Sequence, residues 1–283
     1  MASVGLVCHG MRAEALDLAC AAGEWLNERG HVARVLKDDA RVSRLEEWVH
    51  PAEDFARGLA LAVSLGGDGT MLRTVDLVCE VGVPVLGVNV GHLGYLTEVE
   101  PEGLFDALER FFAGDYAVEP RMTLQVDVQV GAASSQYIAL NEAVVEKTRS
   151  GHTVRLATSL NDRPFTSYAA DGVIVATPTG STAYNLSARG PIVSPRHRAI
   201  VITPVSAHML FDRALVLDAD EVIRLEVIGD RPAALVVDGR AIANLDPGDA
   251  LQCRAGAHDA LLVTFGHRDF HRILKAKFGL TDR

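Results

Sequence analysis

Asp68 stands between glycines in Gly66-Gly67-Asp68-Gly69-Thr70, directly after the apolar run Leu59–Leu65. Glycines let a ligand approach backbone N–H groups closely, and a helix N-terminus favours negative charge, so such a turn at a strand end suits phosphate. An acid in that place serves either as a magnesium partner or as the base for a hydroxyl about to attack a phosphate. The stretch Met71 to Val78 reads as a helix that Thr70 can cap. The alternative is a plain strand-to-helix turn with a capping aspartate.

A second polar cluster begins at Asp171-Gly172 and runs through Thr177-Pro178-Thr179-Gly180-Ser181-Thr182-Ala183-Tyr184-Asn185. Val173–Ala176 is a strand, the Pro and Gly break it, and Ser181 or Thr182 can cap a short helix. Hydroxyls, Asn185 and the Tyr184 ring in one turn could hold a nucleotide by hydrogen bonds and stacking. A capped loop that merely satisfies its own backbone is the alternative. Asn141-Glu142, at the end of an apolar segment, forms a third polar pair. Asn could read an adenine or ribose edge and Glu could orient it, unless the pair is simply an exposed strand end. Loops of this kind in both halves of the chain favour a ligand held between two domains.

The elements that position these residues differ between the halves. Over the first 115 residues, strand signals at Val4–Val7, Val32–Leu36, Leu59–Leu65 and Pro84–Val90 alternate with helical ones at Ala13–Glu28 and Leu104–Ala113. Such alternation predicts an open, mostly parallel sheet, with ligands beyond the carboxyl ends of its strands. After Gly114-Asp115 the texture changes to strict period-two alternation at Leu124–Val130. Further short strands are expected at Ile138–Val145, Val154–Leu160, Val173–Ala176, Val222–Ile228 and Ala234–Val237. The fold class is therefore α/β plus all-β, with a sandwich-like C-terminal domain. The expected division is 1–118, completed by a returning tail over 266–283, and 119–265.

The 283 residues and 48% hydrophobic content are enough for packed cores. No apolar run is long enough to span a membrane. Met1–Val7 reads as a strand rather than a signal peptide. Cys8, Cys20, Cys79 and Cys253 lie far apart, which predicts reduced core thiols in a cytoplasmic protein. A net charge of −10 argues against nucleic-acid binding and leaves a polyphosphate ligand to local dipoles, a few cations and a metal.

In order and spacing, Gly66–Thr70, Asn141-Glu142 and Asp171-Gly172 with Thr177–Tyr184 together resemble NAD kinase, across most of the chain. The glycine-aspartate motif is shared with diacylglycerol-kinase-like and phosphofructokinase-like proteins, whereas the Thr177–Tyr184 string with its upstream Asn-Glu is far more specific. The resemblance implies transfer of a phosphoryl group from ATP or polyphosphate to the 2′-hydroxyl of the adenosine ribose of NAD, giving NADP. It also implies a divalent metal, Mg2+ first, with no ligand residue assigned, and a homodimer or homotetramer. Carried over by position, Asp68 would accept the hydroxyl proton, and Gly67, Gly69 and Thr70 would let the backbone meet the phosphates that Arg73 neutralises. Asn141 and Glu142 would face the adenosine. Thr182, Ala183, Tyr184, Asn185, Leu186 and Ser187 would hold adenine, with Tyr184 packed on the base. Asp171 would meet the nicotinamide end near Ser206, and His152 falls at a ligand-contacting position.

Several residues depart from the family pattern. Arg189 stands where glycine is common, Ala169 replaces a frequent basic residue, and Ala207 and Ala214 replace flanking prolines. Arg240 takes a position that is often Gln, adding a cation that could reach a phosphate. His92, His208, Arg196-His197-Arg198, Trp25 and Trp48 read as structural residues. Two rival functions remain, a diacylglycerol-kinase-like lipid kinase and a protein that senses NAD or NADP without turning it over.

Overall fold

The computed structural model describes residues 1–40, 42–91, 94–266 and 270–280; His92 lies outside them. The chain divides into two compact units, 1–120 with 260–283, and 121–259.

In the first unit, a seven-stranded sheet runs in the order Val49–His50, Val32–Leu36, Ser3–Cys8, Leu59–Gly66, Val85–Asn89, Ala260–Thr264, Ala117–Arg121. Its first six strands pair in parallel with their neighbours. The helices Ala13–Glu28, Asp68–Val78 and Leu104–Phe112 follow strands, as buried parallel strands require. Ser3–Cys8 and Leu59–Gly66 bury every residue from Val4 to Cys8 and from Leu61 to Gly66, and the alternate side chains Val4, Leu6, Cys8, Leu61, Val63 and Leu65 belong to one core with Leu16, Leu26, Leu104 and Leu108. After Ser3–Cys8 the chain builds the sheet to one side, and it then returns to place Leu59–Gly66 on the other. The carboxyl ends of these two strands therefore form a topological switch point, where open α/β sheets bind ligands.

The second unit is a sandwich of two six-stranded antiparallel sheets. Alternate apolar residues of both sheets share one core, Leu124, Val126, Leu156 and Leu225 from one, Val145, Val173, Ile202 and Leu235 from the other.

Three expectations need correction. The helix after the glycine turn starts at Asp68 rather than Met71, with Gly67 and not Thr70 at its N-cap. The Gly67 carbonyl already accepts the Thr70 and Met71 amides at 3.0 and 3.1 Å, so the first turn closes earlier. Ile138–Val145 is not one strand; Ala133–Ala139 belongs to one sheet and Glu142–Lys147 to the other, and the chain crosses between sheets at Leu140-Asn141. The returning tail includes Ala260–Thr264, a strand inside the first sheet, so the change of unit falls at 260 and not at 266.

Candidate functional site

Asp68 is the first residue of its helix, and its carboxylate leans across to the segment after Val85–Asn89. Oδ2 accepts the Tyr95 amide at 2.9 Å and Oδ1 the Leu96 amide at 3.0 Å. Two fixed donors orient the carboxylate and leave each oxygen a second lone pair. Gly67 and Gly69 have nothing within 4 Å of where a Cβ would stand. Neither has a left-handed backbone, so the fold does not demand glycine at either position. Both line a cleft of 360 Å³ at the switch point with Cys8, His9, Gly10, Arg12, Thr70 and Arg73.

Arg73 does not stand free in that cleft. Its Nη2 is ion-paired to Asp39, which is 1% exposed, and donates to the Cys8 carbonyl at 3.2 Å. The Cys8 amide donates to the same Asp39 oxygen at 3.0 Å. Burial, with the Asp39 charge added, pushes the Cys8 thiol up to about 12, so it stays an inert core thiol. His9, Arg12 and Asp39 carried no sequence signal, because what joins them is the parallel sheet and not spacing.

In the second unit, Asn141 and Glu142 sit where the chain changes sheet, and one side chain holds the change. The Asp238 carboxylate accepts the amides of Leu140, Asn141 and Glu142 at 2.7, 2.9 and 3.0 Å. The Thr177 amide donates to the Asn141 carbonyl at 2.8 Å, and its hydroxyl to the Leu140 carbonyl at 2.5 Å. A Cβ on Gly180 would stand 2.1 Å from the Asn141 carbonyl oxygen, so this glycine is required for the backbones to approach. Asp238, in Val237-Asp238-Gly239, has the sequence look of an ordinary hairpin turn, which is why its clamping role was not legible.

Glu142 is 7% exposed and its Oε2 is buried without a hydrogen-bond partner among the described residues. Burial, reinforced by Asp238 and opposed by the Tyr184 amide, pushes its carboxyl up to about 8 from an ordinary 4.5. Burial also raises Asp238, against the pull of its three amide donors and Arg240. Glu142 is thus a neutral acid at pH 7, able to donate as well as accept.

The Thr177–Ser187 segment folds as a short 3-10 turn, Gly180–Thr182, and a helical turn, Tyr184–Ser187. Ser181 and Thr182 do not cap it. The Ser181 hydroxyl exchanges bonds with the Val193 backbone, the Thr182 hydroxyl donates to the Thr179 carbonyl, and the Thr177 hydroxyl accepts the Gly180 amide instead. Asn185 is fully buried. Its amide donates to the Ser181 and Pro191 carbonyls at 3.1 and 3.0 Å and accepts the Thr203 hydroxyl at 2.6 Å. It shapes the turn from inside, where its buried amide bonds to the fold itself, whereas the sequence suggests a side chain facing a ligand. Tyr184 is exposed, while burial of its hydroxyl, with Glu146 and Asp171 nearby, raises its pKa. Ala183 and Leu186 are half-buried, and Ser187 is exposed.

Asp171 is ion-paired to Lys147 at 2.7 Å, and its amide donates to the carbonyl of Val205, the residue before Ser206. Ser187, Arg189 and Ser206 line one cavity of 480 Å³ with Thr203 and Arg213. Arg189 has φ +65°, the left-handed conformation that accounts for glycine being common at that position. His152 is half-buried before Val154–Leu160, with no hydrogen bond to the Asn141-Glu142 clamp among the described residues. Arg240 is exposed beside Asp238.

A cleft with glycines and two arginines in its wall, at the carboxyl ends of parallel strands and with the anchored Asp68 between two of those glycines, suits a phosphorylated ligand, and the second unit holds a buried acidic pair beside an exposed tyrosine. The family model for the ATP-NAD kinase N-terminal domain matches residues 4–116, and that for the C-terminal domain matches 140–265. An NAD kinase of Heliobacterium modesticaldum is 42% identical over 98% of this chain and 98% of its own. One of Thermobifida fusca is 39% identical over 98% and 89%. Among solved structures, yeast NADH kinase complexed with NADH superposes with a TM-score of 0.91 at 24% identity, covering 100% of this chain and 89% of that one. The chain belongs to the ATP-NAD kinase family.

Proposed function

We propose that this chain transfers the γ-phosphoryl group of ATP to the 2′-hydroxyl of the adenosine ribose of NAD, forming NADP and ADP. The observation that carries the chemistry is the Asp68 carboxylate, oriented by the Tyr95 and Leu96 amides beside a cleft where Gly67 and Gly69 present bare backbone. The ribose oxygen bonds to the γ-phosphorus as the bond from that phosphorus to the β–γ bridging oxygen breaks, and Asp68 takes the hydroxyl proton. Phosphoryl transfer asks chiefly for positioning and charge neutralisation, and one correctly held base meets the rest. The amides at Gly67 and Gly69 meet the donor phosphates, and Thr70 and Arg73 line the same cleft.

Asn141 and Glu142 face the adenosine, with the neutral Glu142 carboxyl donating to an acceptor there. The surface from Thr182 to Ser187 receives adenine, with Tyr184 packed on the base and Asn185 holding the turn. Asp171 and Ser206 take the nicotinamide end, with His152 and Arg240 as outlying contacts. The described residues hold no cluster of three His, Cys, Asp or Glu side chains able to cage an ion. Mg2+ fits as an ion carried by the donor phosphates with at most Asp68 from the chain, where it would neutralise phosphate charge. The four free, buried cysteines support a reducing, cytoplasmic setting. Family resemblance alone supports polyphosphate as a second donor and a homodimeric or homotetrameric assembly.

An Asp68→Asn variant tests the reading. Its melting temperature should stay near that of the parent, while kcat for NADP formation, followed with an NADP-specific dehydrogenase, falls about a hundredfold or more. Near-normal turnover would remove Asp68 from the base role.

A further inference from the structure

The cleft at the switch point contains three side chains that can carry positive charge, His9, Arg12 and Arg73. They are not equivalent. Arg73 is paired to the buried Asp39 and bonded to the Cys8 carbonyl, so its charge is matched within the fold and its direction is set towards the core. Arg12 is half-buried and sits at the N-cap of Ala13–Glu28. Its Nη1 donates to the Val90 carbonyl, a neutral partner, and no carboxylate pairs with it among the described residues. A guanidinium has five N–H donors, so most of those of Arg12 remain available, together with an unmatched charge. Gly10, Gly67 and Gly69 leave the cleft walls bare beside it.

We propose that Arg12 is the donor-binding and donor-selecting cation of this enzyme, meeting the terminal phosphates of a triphosphate or longer polyphosphate, whereas Arg73 braces the wall. This rests on the phosphotransfer reading above and adds to it the residue that recognises the donor. The overall charge of −10 repels a polyphosphate, so one unmatched cation in the cleft decides its affinity.

Two measurements on Arg12→Gln, Arg12→Met and Arg12→Lys test it. The first is calorimetric titration with inorganic tripolyphosphate, and the second is the separation of KM for ATP from KM for NAD. Gln and Met should weaken tripolyphosphate binding and raise KM for ATP by about tenfold or more, the loss expected for a charge-assisted contact, and leave KM for NAD within about twofold. Lys should recover part of the loss as a point charge. Met keeps the apolar stem, so a variant with parent-like melting is at hand if Gln disturbs the helix start. The proposal is overturned if a folded Gln or Met variant keeps both tripolyphosphate affinity and KM for ATP within about twofold of the parent. Parent protein that makes no NADP, yet binds tripolyphosphate through Arg12, would sink the NAD kinase reading and leave the site standing. NADP formation indifferent to Arg12 would do the reverse.

Discussion

Glu142 carries an electrostatic cost that the family pattern by itself does not reveal. Its carboxyl is held near 8, chiefly by burial and then by Asp238, against an ordinary 4.5. Between those two values the unfolded chain has released this proton and the folded chain still binds it, so stability falls as pH rises through the window. By pH 8 the penalty is on the order of 3–5 kcal/mol. Glu142→Gln has nearly the same shape without the titration. Its melting temperature should match the parent near pH 5 and exceed it by about 5 °C or more near pH 8. A parent–variant difference that does not change with pH would show that Glu142 titrates normally. A protonated carboxyl beside Asn141, with one oxygen unpartnered among the described residues, suits a ribose or adenine edge.

Glycines separate what elements need from what a ligand needs. Gly180 has its Cβ position 2.1 Å from a backbone carbonyl, whereas Gly69 has open space. Gly180→Ala should therefore cost about 3 kcal/mol or more, since neither backbone can yield without breaking the Asp238 clamp. Gly69→Ala, in the first turn of a helix, should leave melting unchanged or slightly raised and still impair donor binding, seen as a higher KM for ATP. If both variants melt alike, the distinction fails. The sequence resolved elements unevenly for a related reason. Leu124–Val130 and Val154–Leu160 alternate cleanly because each has one face in the sandwich core. Ala133–Ala139 and Arg163–Ala170 are the two edge strands of that sheet. Mostly exposed small and polar residues, and Pro164, gave them no apolar rhythm to read. At the site, Asp68 was legible because glycine and acid at a strand end already specify its chemistry. Asp39, Asp238 and Arg12 act through partners brought close only by folding, and no local pattern announces them.

At the scale of the whole chain, the second unit is an insertion between two neighbouring strands of the first. Ala117–Arg121 and Ala260–Thr264 lie side by side in the seven-stranded sheet, and the 139 residues between Pro120 and Ala260 form the sandwich. The sandwich closes its own ends. The Gly256 amide donates to the Thr123 carbonyl at 2.8 Å, and the Thr123 hydroxyl to the His258 carbonyl at 2.7 Å. A segment whose ends meet, and whose core draws on both of its own sheets, meets the conditions for folding alone. The fragment Arg121–Asp259 should accordingly melt in one cooperative, β-rich transition. Residues 1–120 joined to 260–283 by a short Gly/Ser linker should fold as the α/β unit, because the linker has only to connect adjacent strands. Residues 1–120 alone should not, because Ala260–Thr264 lies inside the sheet rather than at its rim and its loss separates Ala117–Arg121 from the rest. Circular dichroism and hydrogen exchange on the three proteins decide the matter. A sandwich fragment with retained far-UV but no near-UV signal, or a linked α/β unit as disordered as the truncated one, would show that neither unit is an independent folding domain.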